Sequence, residues 1–102
     1  MRSLLPQTIE SGDVRVSVVV PAYNEAENLP HVLPLIPDWV YEVILVNDHS
    51  TDDTIEVARS LLPDIRILTT RRGRGKGAAL QTGFAEATGD IIVMMDADGS
   101  SD

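Results

Sequence analysis

Four apolar, β-branched runs alternate with helix-patterned segments along this chain, and that alternation limits its fold more than any other feature. The runs are VRVSVVV (Val14–Val20), YEVILV (Tyr41–Val46), IRILT (Ile65–Thr69) and DIIVMMDAD (Asp90–Asp98). They are largely apolar at successive positions, as strands covered on both faces should be. Pro21 is expected to stop the first. After it, NEAENLPHVLPLI predicts a short helix from about Asn24, made irregular by Pro30 and Pro34. The second intervening segment carries Ser50 as a candidate cap, acidic Asp53 three residues on, and an apolar stripe of Ile55, Ala58, Leu61 and Leu62. The third, AALQTGFAEAT, predicts a helix ended by Gly89.

The order β-α-β-α-β-α-β with short connections implies parallel strands, right-handed crossovers and helices on both sheet faces. The expected fold class is therefore α/β, a doubly wound and mainly parallel sheet that is cut after its fourth strand. At 102 residues and 43% hydrophobic content the chain can form one small packed domain. Residues 1–13 read as a lead-in and 14–102 as the domain. Trp39 is expected in the core, and His31 and His49, which lack paired spacing, at the surface.

In open sheets of this kind ligands bind beyond the carboxyl ends of the strands. Here those ends carry PAYNE, VNDHS, TTRRGRGKG and DADG, which should converge on one edge. Asp96 and Asp98 are two residues apart, so they share a side if strand geometry persists through Ala97. A close carboxylate pair suits Mg²⁺ or Mn²⁺, which take a few oxygens from the protein and the rest from substrate phosphates. A solvated Asp-Gly turn is the alternative. A calcium loop fits poorly, because Ser101 stands where its turn glycine belongs.

Net charge is −8, from 16 acids and 8 bases, which argues against general nucleic-acid binding. Four of the eight bases, Arg71, Arg72, Arg74 and Lys76, fall within six positions, a cluster better suited to a small anion than to a polymer. The loop that carries them is not a Walker A motif: Thr70 stands where a glycine is needed and Gly77 where Ser or Thr is needed. Gly73, Gly75 and Ala78 match a dinucleotide fingerprint in spacing, but that fingerprint belongs after the first strand and this loop follows the third. Close backbone approach, free helix N–H groups and positive charge still permit phosphate binding; a solvated basic loop is the alternative. Tyr23 can lean on a base or sugar and Glu25 can orient a polar group, or both are ordinary strand-exit residues. Asp48 can accept from a nucleobase N–H, whereas Asp52 and Asp53 read as helix-start charges. There is no cysteine, so disulfides and thiolate chemistry are excluded. No apolar run reaches the ~18 residues of a membrane span, and a cytoplasmic location is expected.

Together VVVPAYNEAENLP, VNDHSTDDT, RGRGKGAALQTGF and ATGDIIVMMDADGSSD resemble family 2 glycosyltransferases of the GT-A fold, over about residues 14–102. The nearest branch is that of polyprenyl-phosphate (dolichol-phosphate-like) sugar transferases. The resemblance implies a nucleotide-diphosphate sugar donor, UDP- or GDP-linked, with Pro21, Tyr23 and Glu25 lining the nucleoside pocket. It implies Val46 and Asp48 at the base, the Lys76 loop near the donor, and Asp96, Ala97 and Asp98 as a D-x-D element. In that element Asp96 and Asp98 would hold Mg²⁺ or Mn²⁺ on the diphosphate. Asn47 departs from the family's frequent Asp-Asp pair, and His49 replaces a usual glycine.

Family members are typically inverting, with an acceptor that includes lipid phosphates and with the acceptor-binding half and any base downstream of D-x-D. The isolated chain is therefore expected to show little or no transferase activity, to associate through an edge fourth strand, and to meet membranes only through segments beyond it. Two other readings stay open. One is a nucleotide-sugar-binding module without turnover. The other is a nucleotidyltransferase, whose glycine-rich basic signature would follow the first strand, where PAYNE stands.

Overall fold

The structure is a computed structural model and describes residues 14–98. The expected lead-in at 1–13, and the end of the chain from residue 99, lie outside the described residues. The elements run β1 (Val16–Ala22), α1 (Leu29–Val32), a 3₁₀ turn (Leu33–Leu35), β2 (Glu42–Asn47), α2 (Thr54–Leu61), β3 (Arg66–Thr69), α3 (Lys76–Glu86) and β4 (Ile91–Met94). The sheet order is β3-β2-β1-β4 and every pairing is parallel. The doubly wound reading holds, with helices on both faces.

The two faces follow the period of two along β1. Val18, Val20 and Ala22 pack with Leu45 against Leu29, Leu33 and Ala58, the α1 and α2 side. Val19 packs with Ile44 and Val46 against Ala79 of α3. Val19, Val20, Ile44, Leu45 and Val46 are fully buried, each side chain contributing about 1.5–3 kcal/mol relative to exposure. By contrast Ile91, Ile92, Val93 and Met94 of β4, which among the described residues pairs only with β1, are all exposed.

Several boundaries differ from expectation. Pro21 does not stop β1: it lies inside the strand, opposite Val46. Met95 donates its N–H to the Val19 carbonyl, so Val19 faces β4, and Pro21 is the next residue on that side. The β4 pairing ends at Val19 and Met94, so the missing proline N–H costs no ladder bond. Asn24 does not start a helix, because its φ of 52° is left-handed and α1 begins only at Leu29. Ser50 does not cap α2; Asp53 occupies the cap position, while Asp52 takes the Thr54 N–H at 3.0 Å. Gly89 does not end α3, which closes at Glu86. Trp39 is 71% exposed, outside the core.

The close seating of α3 depends on Gly83. A Cβ there would lie 2.4 Å from Val19 Cγ1 and 3.0 Å from Val46 Cγ2, whereas one on Gly77 of the same helix would meet nothing within 4 Å. Val19 is β-branched and held in a central strand, so it cannot swing aside. Gly83→Ala is expected to cost about 2 kcal/mol, overpacking outweighing the gain in helix propensity. Gly77→Ala is expected to stabilise by about 0.5 kcal/mol, propensity acting alone near the helix start. Urea denaturation of the two variants tests this, and shifts of the same sign would refute the tight seating of α3.

Candidate functional site

All four strand exits meet at one edge of the sheet. Pro21, Tyr23, Glu25, Asp48, Lys76, Asp96, Ala97 and Asp98 line a common cleft of about 160 Å³ with Ala22 and Ala79. That is below the ~300–1,000 Å³ of complete small-molecule sites, so the cleft does not by itself enclose a ligand of that size. A larger groove of about 460 Å³, with Leu33, Ile36, Val43 and Ile65 in its lining, lies at the opposite ends of the strands. Size alone would favour the groove. The gathering of a cation, carboxylates and an aromatic ring favours the cleft.

The first two exits are stapled together. The Asn24 N–H donates to Ser50 Oγ at 2.9 Å, and Asn24 Oδ1 accepts the Thr51 N–H at 2.7 Å. The Glu25 N–H donates to Thr54 Oγ1 at 2.9 Å and the Ala26 N–H to Asp52 Oδ2 at 3.2 Å. Burial pushes the Asp52 carboxyl up, but the Thr54 hydroxyl, the Ala26 N–H and the Thr54 N–H outweigh it and hold the group below its ordinary value. Asp52 therefore bonds the start of α2, as expected of a helix-start acid. Asn24 was not anticipated as a structural residue; asparagine at a strand exit is the signal, since its short amide tolerates left-handed φ. His49 also turns left-handed, with φ 61°, a conformation that glycine adopts without strain.

Asp48 joins the second exit to the glycine-rich loop. Its Oδ2 accepts the Gly75 N–H at 2.7 Å. Its Oδ1 is shielded from solvent and finds no hydrogen-bond partner among the described residues, an arrangement that leaves an acceptor open to a ligand donor. Gly73 and Gly75 have φ of 80° and 94°, values that glycine adopts without strain. The basic cluster is partly neutralised within the chain. Arg71 pairs with Glu86, and this hydrogen bond is the largest reason the Glu86 carboxyl lies below its ordinary value. Lys76, the first residue of α3, reaches across to Asp96, Nζ to Oδ1 2.6 Å.

The acidic pair meets the cleft by a different route from the one expected. Strand geometry does not persist through Ala97: β4 ends at Met94, and Ala97 and Asp98 lie in a turn. Ala97, only 3% exposed, packs into the core beside Ala22 and anchors that turn. The Asp96 side chain is 12% exposed and Asp98 is exposed. Val46, expected at the base, is buried in the core under α3 and does not line the cleft. Among the described residues no group of three or more His, Cys, Asp or Glu side chains gathers as a metal cage. The donor set fits a hard cation completed by ligand oxygens, since the nearly buried Asp96 carboxylate already attracts a positive charge.

Residues 17–102 match the sequence profile of Glycosyl transferase family 2. The dolichyl-phosphate beta-glucosyltransferase of Homo sapiens is 34% identical over 116 residues, 98% of this chain and 36% of that protein. The dolichol-phosphate mannosyltransferase of Pyrococcus furiosus is 41% identical over 91 residues, 83% of this chain and 26% of that protein. The chain thus spans about a third of the curated relatives it matches first. Among solved structures, the mannosyltransferase PcManGT from Pyrobaculum calidifontis in complex with GDP-Man and Mn²⁺ superposes with a TM-score of 0.67 at 38% identity, over 83% of this chain and 28% of that one. The fold, the order of the four strand-end motifs and the profile match agree: this chain belongs to glycosyl transferase family 2.

Proposed function

We propose that the chain supplies the donor side of a glycosyltransferase that moves a sugar from a nucleoside-diphosphate sugar to an acceptor, with inversion at the anomeric carbon. The observation that carries this reading is the meeting of Asp48, Lys76, Asp96 and Asp98 in one cleft. Asp48 offers the shielded Oδ1 to a nucleobase N–H, and Tyr23, 54% exposed beside it, offers a ring face to base or sugar. Asp96 and Asp98 would hold Mg²⁺ or Mn²⁺, which would neutralise charge on the departing nucleoside diphosphate. Lys76 adds a mobile cation at the same place. PcManGT holds GDP-Man and Mn²⁺ together, which supports a donor of this class.

The matched relatives are named for dolichyl phosphate, which supports a polyprenyl phosphate as acceptor. Such a phosphate attacks already ionised and needs no general base. An acceptor of this kind would bring the site to a membrane surface; no helix among the described residues is long and apolar enough to cross one. A second reading, donor binding without turnover by these residues alone, is favoured by the small cleft volume.

Calorimetric titration with UDP-glucose and GDP-mannose, each with and without Mn²⁺, tests the proposal. Metal-dependent binding of one of them is expected, and the preferred nucleotide names the donor. A folded chain that binds neither under any condition overturns the reading. A transfer assay with polyprenyl phosphate then separates the enzyme from the binding module.

A further inference from the structure

The Lys76–Asp96 ion pair puts a lysine on the carboxylate that the donor reading assigns to the metal. Asp96 is nearly buried, and a charge so placed needs a partner. Lys76 provides one, at 2.6 Å and with its own side chain 54% exposed. Its backbone is fixed, because Asp48 holds the preceding Gly75 N–H and the Gly75 carbonyl accepts the first α3 hydrogen bond, from Ala79. Only the flexible four-carbon stem is free to move.

We propose that Lys76 is a resident counter-ion of Asp96 that exchanges with the divalent metal. This rests on the donor reading above. A metal ion and an ammonium on one poorly solvated carboxylate repel each other, so metal arrival drives Lys76 off Asp96. The diphosphate that the metal brings with it offers the displaced ammonium an anion in the same cleft. Lys76 therefore weakens metal binding to the ligand-free chain and strengthens nucleotide binding to the metal-loaded chain. The two events become coupled: metal without nucleotide only displaces the cation, and metal with nucleotide also supplies it with a phosphate partner.

The test measures Mn²⁺ binding to the chain without nucleotide, by electron paramagnetic resonance of free Mn²⁺, and UDP and GDP binding at saturating Mn²⁺ by calorimetry. Lys76→Met is expected to tighten Mn²⁺ alone about 10-fold and to weaken the preferred diphosphate about 10-fold, the size of one charge-assisted hydrogen bond. Lys76→Arg, which keeps the charge, is expected to stay near the parent for Mn²⁺ alone. A merely structural lysine would not move the two affinities in opposite directions. If the parent chain binds Mn²⁺ and diphosphate but Lys76→Met leaves Mn²⁺ affinity unchanged or lower, the exchange is refuted and the donor reading survives. If the parent binds neither, both fall.

Discussion

Lowering the pH from 7 to 2 is expected to remove about 3 kcal/mol of folding stability through Glu42 alone. Its carboxylate sits at the base of the sheet, where Ser17 Oγ donates at 2.6 Å, the Thr88 N–H at 2.6 Å and Arg66 at 3.0 Å. Arg66 also donates to the Glu86 carbonyl at 3.0 Å, so the cluster ties β1, β2 and β3 to the end of α3. Burial pushes the carboxyl up, but the bonds from Ser17, Thr88 and Arg66 outweigh it and hold it down at about 2, from an ordinary 4.5. A depressed folded-state pKa means that the stabilisation is complete above the unfolded value. It is lost as pH falls through the window from 4.5 to about 2. Asp52, Glu86 and Asp90 are depressed too and lose stability in the same sense, so acid unfolding of the parent chain mixes several groups. Comparison with Glu42→Gln isolates one. The variant should be the less stable protein at pH 7, and the gap in urea-unfolding free energy should close towards pH 2. A gap that does not change with pH would show that the ionised carboxylate contributes nothing.

That cluster illustrates what pattern reading reaches and what it does not. The α/β alternation was visible because buried parallel strands are written as unbroken apolar runs, and β1 and β2 were found within one or two residues. Their ends slipped because strands end where pairing ends. Pro21 remains in β1 since its side of the ladder is already finished at Met94. The gathering of Tyr23, Asp48, Lys76 and Asp96 followed from topology, which sends every parallel strand to the same edge. Bonds such as Glu42 to Thr88, or Asn24 to Ser50 and Thr51, leave no such trace. They join residues 26 to 46 positions apart, and neither partner's type singles out the other. The reasoning for the acidic pair failed in its geometry, since alternation along a strand cannot apply past Met94. Asp96 and Asp98 nevertheless share the cleft, because a turn anchored by buried Ala97 brings them there. Val46 lies two residues from cleft-lining Asp48 in sequence, yet its own side chain faces α3 and does not line the cleft.

Asp96→Ala is expected to lower metal-dependent nucleotide-sugar affinity by at least ~100-fold, the largest functional effect of any single substitution in the cleft. Asp96 is the shielded member of the pair, at 12% exposure, and a poorly solvated carboxylate holds a divalent cation more strongly than one facing water. Asp98 is exposed, so Asp98→Ala is expected to cost less, about 10-fold. Both variants keep Ala97, which seats the turn in the core, and a urea-unfolding curve for each separates lost binding from lost folding. Asp53→Ala serves as the control: Asp53 is exposed at the start of α2, makes no capping hydrogen bond and does not line the cleft, so binding should be unchanged. Calorimetry with the preferred nucleotide sugar, with and without Mn²⁺, reads all three variants. Equal losses in Asp96→Ala and Asp53→Ala would mean that general negative charge attracts the metal. A loss in Asp96→Ala that persists without Mn²⁺ would mean that Asp96 acts on the nucleotide sugar through Lys76 rather than through a metal ion.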